Sequence, residues 1–275
     1  MTTAFALSGG GNLGPMQAGA MLALMEAGIV PDLIVGTSVG ALNAAFLSTR
    51  PGVEGARTLV AAWSALQRRE AVRLNPLTAL AGFLGFHDHL VSHHQLRHLI
   101  RRWVQIGRLE EAQTPMAAVA TDAVTGEAVV LTSGDMVDSL VASSAIPGLF
   151  PPVLIEGRWL MDGSLSANHP VLQAQDLGAH DTYLISTATA PRDRPARGAI
   201  AVAMNSVALL TTRADRDRLA QSVTRAQQVG GSVSVVPSAE PWAPSLFDFR
   251  RSAELTDVAY RRTARWIEDG MSPET

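Results

Sequence analysis

The chain is predicted to be an α/β protein with a mostly parallel central sheet flanked by helices. Three observations predict it. Short apolar runs stop at glycines, helix-length stretches with apolar positions at helical spacing separate them, and the two alternate as β-α-β-α within the first 50 residues. Thr3–Leu7 is an apolar run ended by glycines, as a buried strand would be. From about Pro15 to Ala27 the residues Met16, Ala18, Met21, Leu22 and Met25 recur at helical spacing, and Gly28 supplies the stop. Asp32–Val35 reads as a second strand and Val39–Leu47 as a second helix, followed by helical residues 54–67.

Ser92 is expected to cap a helix reaching about Ile106. Met116–Thr121 and Ala128–Thr132 read as strands joined by a turn at Thr125-Gly126, with a short helix over Asp135–Ser144. Val153–Ile155 and Arg158–Met161 form a hairpin about Glu156-Gly157. A loop follows Asp162, then a helix from about Pro170, a strand at Thr182–Ser186 and a long helix near 199–228. A strand at Ser232–Val236 and a helix near 251–268 complete the set. No linker argues for a second unit, so residues 1–275 are expected to form one domain.

Composition excludes several chemistries. Of the 275 residues 47% are apolar and 17% charged, which excludes a disordered or fibrous chain. The net charge of −3 is too even for a dedicated nucleic-acid binder. All 22 basic side chains are arginine, so a lysine Schiff base and the P-loop lysine are out. There is no cysteine, hence no thiol catalysis, disulfide or thiolate metal site. The charge-free opening stretch lacks a basic n-region and is broken by Ser8–Asn12 and Pro15, so neither a signal peptide nor a spanning helix is expected. The expectation is a cytoplasmic protein, with a mild hydrophobic bias that leaves room for peripheral contact with a membrane.

Two glycine loops carry the chemistry. Gly36-Thr37-Ser38-Val39-Gly40 is a G-x-S-x-G element between strand and helix. A serine on so sharp a turn needs small neighbours, and the turn presents Oγ at the positive end of the next helix. Ser38 is the candidate nucleophile. Gly9-Gly10-Gly11-Asn12-Leu13-Gly14 also joins strand to helix, and bare glycine amides make an anion cradle. One reading is the G-x-G-x-x-G of a NAD(P)-binding oxidoreductase, which wants an acid at the end of the second strand; Asp32 stands at the wrong end. The other, favoured reading is an oxyanion hole serving Ser38.

These loops, with Ala120-Thr121-Asp122, Thr125-Gly126-Glu127, Ala142-Ser143-Ser144-Ala145-Ile146-Pro147, Phe150-Pro151-Pro152 and Asp162-Gly163-Ser164 leading to Asn168-His169-Pro170, occur in an order that resembles the patatin-like phospholipases. The resemblance implies a three-layer α/β sandwich and a serine acyl hydrolase acting on fatty-acyl esters of (phospho)lipids. It implies a Ser-Asp dyad with Ser38 as nucleophile and Asp162 as general base, and an oxyanion hole at Gly10 and Gly11. It asks for no metal and no cofactor. Without it nothing marks Asp162 among the other aspartates. Two positions depart from the family's pattern: Ser164 stands where glycine or alanine is usual, and Leu13 where a basic residue is usual.

Other features stay open at this level. His169 could complete a Ser-Asp-His triad or be a loop histidine. His87, Asp88, His89, His93, His94 and His98 could hold a metal, although a solvated helix start is the plainer reading. Residues 70–92, rich in Leu and Phe without periodicity, form either a lid or interfacial segment or an irregular stretch against the core. Trp242, Leu246, Phe247 and Phe249 pose the same choice. A catalytically silent lipid-binding protein is the remaining alternative function.

Overall fold

The computed structural model describes residues 1–66, 92–187, 199–237 and 250–271. The lid segment expected at 70–92 lies outside them apart from Ser92, as do His87–His89 and the Trp242–Phe249 stretch. The apolar runs become strands β1 (Thr3–Leu7), β2 (Leu33–Thr37), β3 (Met116–Asp122), β4 (Ala128–Leu131), β5 (Val153–Ile155), β6 (Arg158–Asp162), β7 (Asp181–Ile185) and β8 (Ser232–Val236). They form one mixed sheet in which β5, β6, β3, β2, β1, β7 and β8 pair in that order and β4 also pairs with β3. The pairings β3–β2–β1–β7–β8 are parallel, and β4, β5 and β6 pair antiparallel. Every residue of β2 and β3 is buried, which is why Leu33–Val35 and Met116–Ala120 run continuously apolar rather than alternating.

The helices are α1 (Gly14–Glu26), α2 (Val39–Ser48), α3 (Val53–Ala65), α4 (His94–Trp103), α5 (Met136–Ser143), α6 (Ser164–Ala167), α7 (Val171–Asp176), α8 (Ala199–Gln228) and α9 (Ser252–Glu268). The first helix is buried almost all round between the sheet, α3 and α9, so its apolar residues spread beyond a single stripe. Edge-to-face contacts of Trp103 with Trp63 (centroids 4.9 Å apart) and Phe46 (5.7 Å) lock α4 onto α3 and α2. No helix among the described residues is long and apolar enough to cross a membrane.

Two local expectations are corrected. The helix expected from Ser92 to Ile106 starts at His94 without any side-chain cap and ends at Trp103, because Val104 turns extended and is buried beside Trp103. The loop after Asp162 contains the one-turn helix α6.

The feature that builds the site is a shared edge of β3. Ile34 N–H bonds to Pro115 O, and Ala123 N–H bonds to Trp159 O, whereas Asp122 N–H bonds to Glu127 O. Successive residues of a strand aim their backbone polar groups at opposite edges. Residues 115 and 123 therefore face one edge, shared by β2 and β6, and 122 faces the other, taken by β4. Along the shared edge Thr37 sits opposite Val119 and Asp162 opposite Ala120, one position on. The two strands meet end to end, one arriving at Ser38 and the other at Asp162.

Candidate active site

Ser38 has φ 54° and ψ −122°, a conformation costly for any residue with a Cβ. The surroundings impose it. A Cβ at Gly36 would lie 2.4 Å from the Gly40 carbonyl carbon, and one at Gly40 would lie 2.3 Å from the Leu7 carbonyl oxygen. Only two glycines let the chain reverse this tightly between β2 and α2, and this is the physical content of the G-x-S-x-G spacing. Ser38 begins α2, and its own carbonyl accepts from the Ala41 and Leu42 amides.

The buried Ser38 hydroxyl donates to Asp162 Oδ2 at 2.8 Å. The other carboxylate oxygen, Oδ1, accepts from the Ser164 amide at 2.9 Å. Backbone bonds anchor the aspartate itself, its N–H to Ala145 O (2.9 Å) and its carbonyl from Thr121 Oγ1 (2.8 Å). Burial pushes the Asp162 carboxyl above the ordinary carboxylate range, while hydrogen bonds from the Ser164 amide and hydroxyl and from Ser38 oppose the rise. Among the described residues no cation offsets the burial.

The first glycine loop lies against this pair. A side chain at Gly9 would meet Ser164 Oγ at 2.3 Å and Ser38 Cβ at 3.4 Å. Among the described residues the Gly10 and Gly11 amides have no acceptor. The structure thus brings all four sequence-predicted site residues, Ser38, Asp162, Gly10 and Gly11, to the same end of the sheet. Asp32, the acid a nucleotide-binding reading would need, accepts from the Thr3 amide at the opposite end (2.8 Å).

His169 stays apart. Its Nε2 shares a 3.1 Å hydrogen bond with Ser186 Oγ, and burial drives its pKa down with Asp215 pulling weakly the other way. His94 and His98 lie exposed on α4, and His93 stacks on Phe150 with centroids 5.6 Å apart. Among the described residues no group of three His, Asp or Glu side chains converges as metal ligands.

One positioning residue escaped sequence reasoning even though its motif was noticed. Ser143 Oγ accepts the Ser38 amide (2.9 Å) and donates to Val119 O (2.6 Å), bracing the strained turn against β3. Nothing in the Ala142–Pro147 motif distinguishes Ser143 from Ser144 for this task; only the packing of α5 on β3 does.

Comparison with known proteins shows the family. A family model described as patatin-like phospholipase matches residues 5–174. The chain is 28% identical over 182 residues to patatin-like phospholipase domain-containing protein 7 of Mus musculus, covering 64% of this chain and 13% of that protein. It is 32% identical over 187 residues to an uncharacterised NTE family protein of Mycobacterium bovis, covering 66% and 48% respectively. The chain thus spans less than half the length of either relative. Among solved structures VipD of Legionella pneumophila matches with a TM-score of 0.47 and 15% identity, over 98% of this chain and 67% of that one.

Proposed function

Because the chain belongs to the patatin-like phospholipase family, we propose that it is a serine acyl hydrolase cleaving fatty-acyl esters of phospholipids or lysophospholipids through a Ser38–Asp162 dyad. The observation that carries the reading is the 2.8 Å hydrogen bond from Ser38 Oγ to a buried carboxylate, beside glycine amides, with neither a cation on the carboxylate nor an acceptor on the Gly10 and Gly11 amides among the described residues.

Ser38 Oγ attacks the acyl carbonyl while its proton passes to Asp162 Oδ2, whose raised pKa makes it the better base. The tetrahedral oxyanion forms against the Gly10 and Gly11 amides; one such donor contributes about 3–4 kcal/mol in the transition state. The position of Ser38 at the head of α2 adds the favourable end of the helix dipole. Collapse breaks the ester C–O bond, and the departing alkoxide takes the proton back from Asp162. Water then gives a proton to Asp162 and attacks the acyl-Ser38 carbonyl; collapse breaks the acyl C–Oγ bond, Ser38 Oγ takes the proton back from Asp162, and the fatty acid leaves. The substrate class implies peripheral work at a lipid surface, and the dyad asks for no metal, nucleotide or nucleic acid.

The test is a fluorophosphonate probe and an acyl-ester assay on wild type, Ser38→Ala and Asp162→Asn. The expected result is a wild-type adduct at Ser38, none in Ser38→Ala, and strongly slowed labelling and turnover in Asp162→Asn. Equal labelling of all three overturns the proposal. Liposome binding without turnover would leave a silent lipid-binding protein instead, and saturable NAD(P)H binding would revive the nucleotide reading of the Gly9–Gly14 loop.

A further inference from the structure

The Gly9–Gly10 peptide is held by contacts that the hydrolytic steps do not use. Thr187, two residues after the end of β7, donates its hydroxyl to the Gly9 carbonyl, and Ser8 Oγ donates to the same oxygen at 3.1 Å. The Thr187 amide in turn donates to Ser8 Oγ at 2.8 Å, tying the Ser8 side chain to the same residue. All of these groups are buried. On the other side of the same residue, the Gly9 amide donates to Asn168 Oδ1 at 3.1 Å.

Peptide planarity turns this clamp into a direction. The chain contains no cis peptide bond among the described residues, so the Gly9 carbonyl and the Gly10 N–H lie in one plane and point oppositely. Strand β1 lies between β7 and β2. Thr187 stands on the β7 side and Ser38 on the β2 side. A Gly9 carbonyl pinned toward Thr187 therefore sends the Gly10 N–H toward Ser38. The close approach explains a further glycine, since a Cβ at Gly10 would sit 2.0 Å from Thr187 Oγ1.

We propose that Thr187 is the positioning residue of the oxyanion hole, its hydroxyl fixing the Gly9–Gly10 peptide plane so that the Gly10 amide meets the developing oxyanion. The inference rests on the hydrolase reading of Ser38, Asp162 and Gly10. Thr187 touches neither substrate nor nucleophile; it acts through Gly9. Because the ground-state ester carbonyl gains less from the Gly10 amide than the tetrahedral oxyanion does, losing the aim costs kcat rather than KM.

The experiment compares wild type, Thr187→Val, Thr187→Ala and Thr187→Ser on a soluble short-chain p-nitrophenyl ester, with circular-dichroism melts and the Ki of an alkyl boronic acid. Removing the hydroxyl is expected to lower kcat about 10–100-fold, somewhat less than deletion of a whole oxyanion donor, with KM within about twofold. The boronic acid, whose tetrahedral adduct carries the oxyanion, should weaken in parallel with kcat/KM. Thr187→Ser keeps the donor and should hold kcat within about threefold of wild type. Thr187→Ala carries the same expected loss as valine and stands in for it should the valine variant not fold. Folded valine or alanine variants with wild-type kcat overturn the proposal, and so does a serine variant as impaired as the valine. A wild type that neither labels at Ser38 nor turns over ester refutes the hydrolase itself. An active wild type beside an unimpaired Thr187→Val refutes only the role of Thr187.

Discussion

Asp122 and Asp162 stand on the same antiparallel pair, β3 with β6, yet their carboxyl groups are driven in opposite directions. Asp122 Oδ1 accepts from the Val124 and Thr125 amides at 2.8 and 3.1 Å, and its Oδ2 meets Arg158 Nε at 2.8 Å. These partners, the amides first and then Arg158, hold its carboxyl below the ordinary carboxylate range. Asp162 receives a backbone amide and serine hydroxyls but, among the described residues, no cation, and burial pushes it up. One aspartate closes the β3–β4 turn and ties it to β6; the other is left a buried carboxylate bonded to Ser38, the base of the proposed dyad. The basicity of a carboxylate is set by the partners it lacks as much as by those it keeps.

The largest expected effect on this contrast comes from Asp162→Asn, which keeps an acceptor for Ser38 but removes the base, lowering kcat about 10³–10⁴-fold. Stability should move the other way. The native pKa of Asp162 is raised, so its stabilising contribution is full below the unfolded pKa and lost as pH rises through the folded pKa. The neutral amide does not suffer that loss, and Tm at neutral pH should therefore exceed that of wild type by calorimetry. A lower Tm with retained kcat would break the contrast.

Ser143→Ala strips the Ser38 amide of its acceptor in a buried place, a loss expected to cost about 1–3 kcal/mol in chemical denaturation. With the elbow loosened, kcat should fall about tenfold, since small displacements of a reacting group are expensive. Unchanged values of both would show that the strained turn holds itself.

A pH–rate profile sharpens the comparison without altering the backbone. A base with a raised pKa must ionise before it acts, so kcat/KM should fall as pH drops through a value above the ordinary aspartate figure of ~4. Ser164→Ala removes a hydroxyl that favours the ionised form, so the acid limb should move further up. A limb that moves down would contradict the hydrogen-bonding assignment.

The smallest effect on activity is expected from Asp122→Asn, with kcat within about threefold of wild type because Asp122 braces a turn rather than the site. Its carboxyl is lowered in the fold, so it stabilises above the unfolded pKa and that contribution fades as pH falls through the folded pKa. The acid-dependent part of the melting curve should shrink in the variant. A collapse of kcat would place Asp122 in the catalytic machinery and erase the distinction.

How much could be read in advance follows the range of the interactions. Ser38 with Gly36 and Gly40 was legible because the elbow is a five-residue steric problem, solved by local geometry. The β-α-β-α opening was legible because period and glycine punctuation are local too. Asp162 was legible only through the resemblance, since its partner lies 124 residues away and the two meet only because β2 and β6 share an edge of β3. Ser143 and Thr187 left no mark of their own: a buried serine at a helix end or threonine after a strand looks like any other until its acceptor is known. The expected cap at Ser92 failed for the converse reason, a good local signal yielding to the packing of α4.

The sequence by itself determined the α/β rhythm, the two glycine loops and the strained serine, because each is settled by sterics and periodicity within a few neighbouring residues. The tertiary structure alone decided which aspartate is braced by Arg158 and which is buried against Ser38, and which hydroxyl bonds to the Gly9 carbonyl. Those outcomes depend on strand register and burial, and register is set by pairing across the whole sheet.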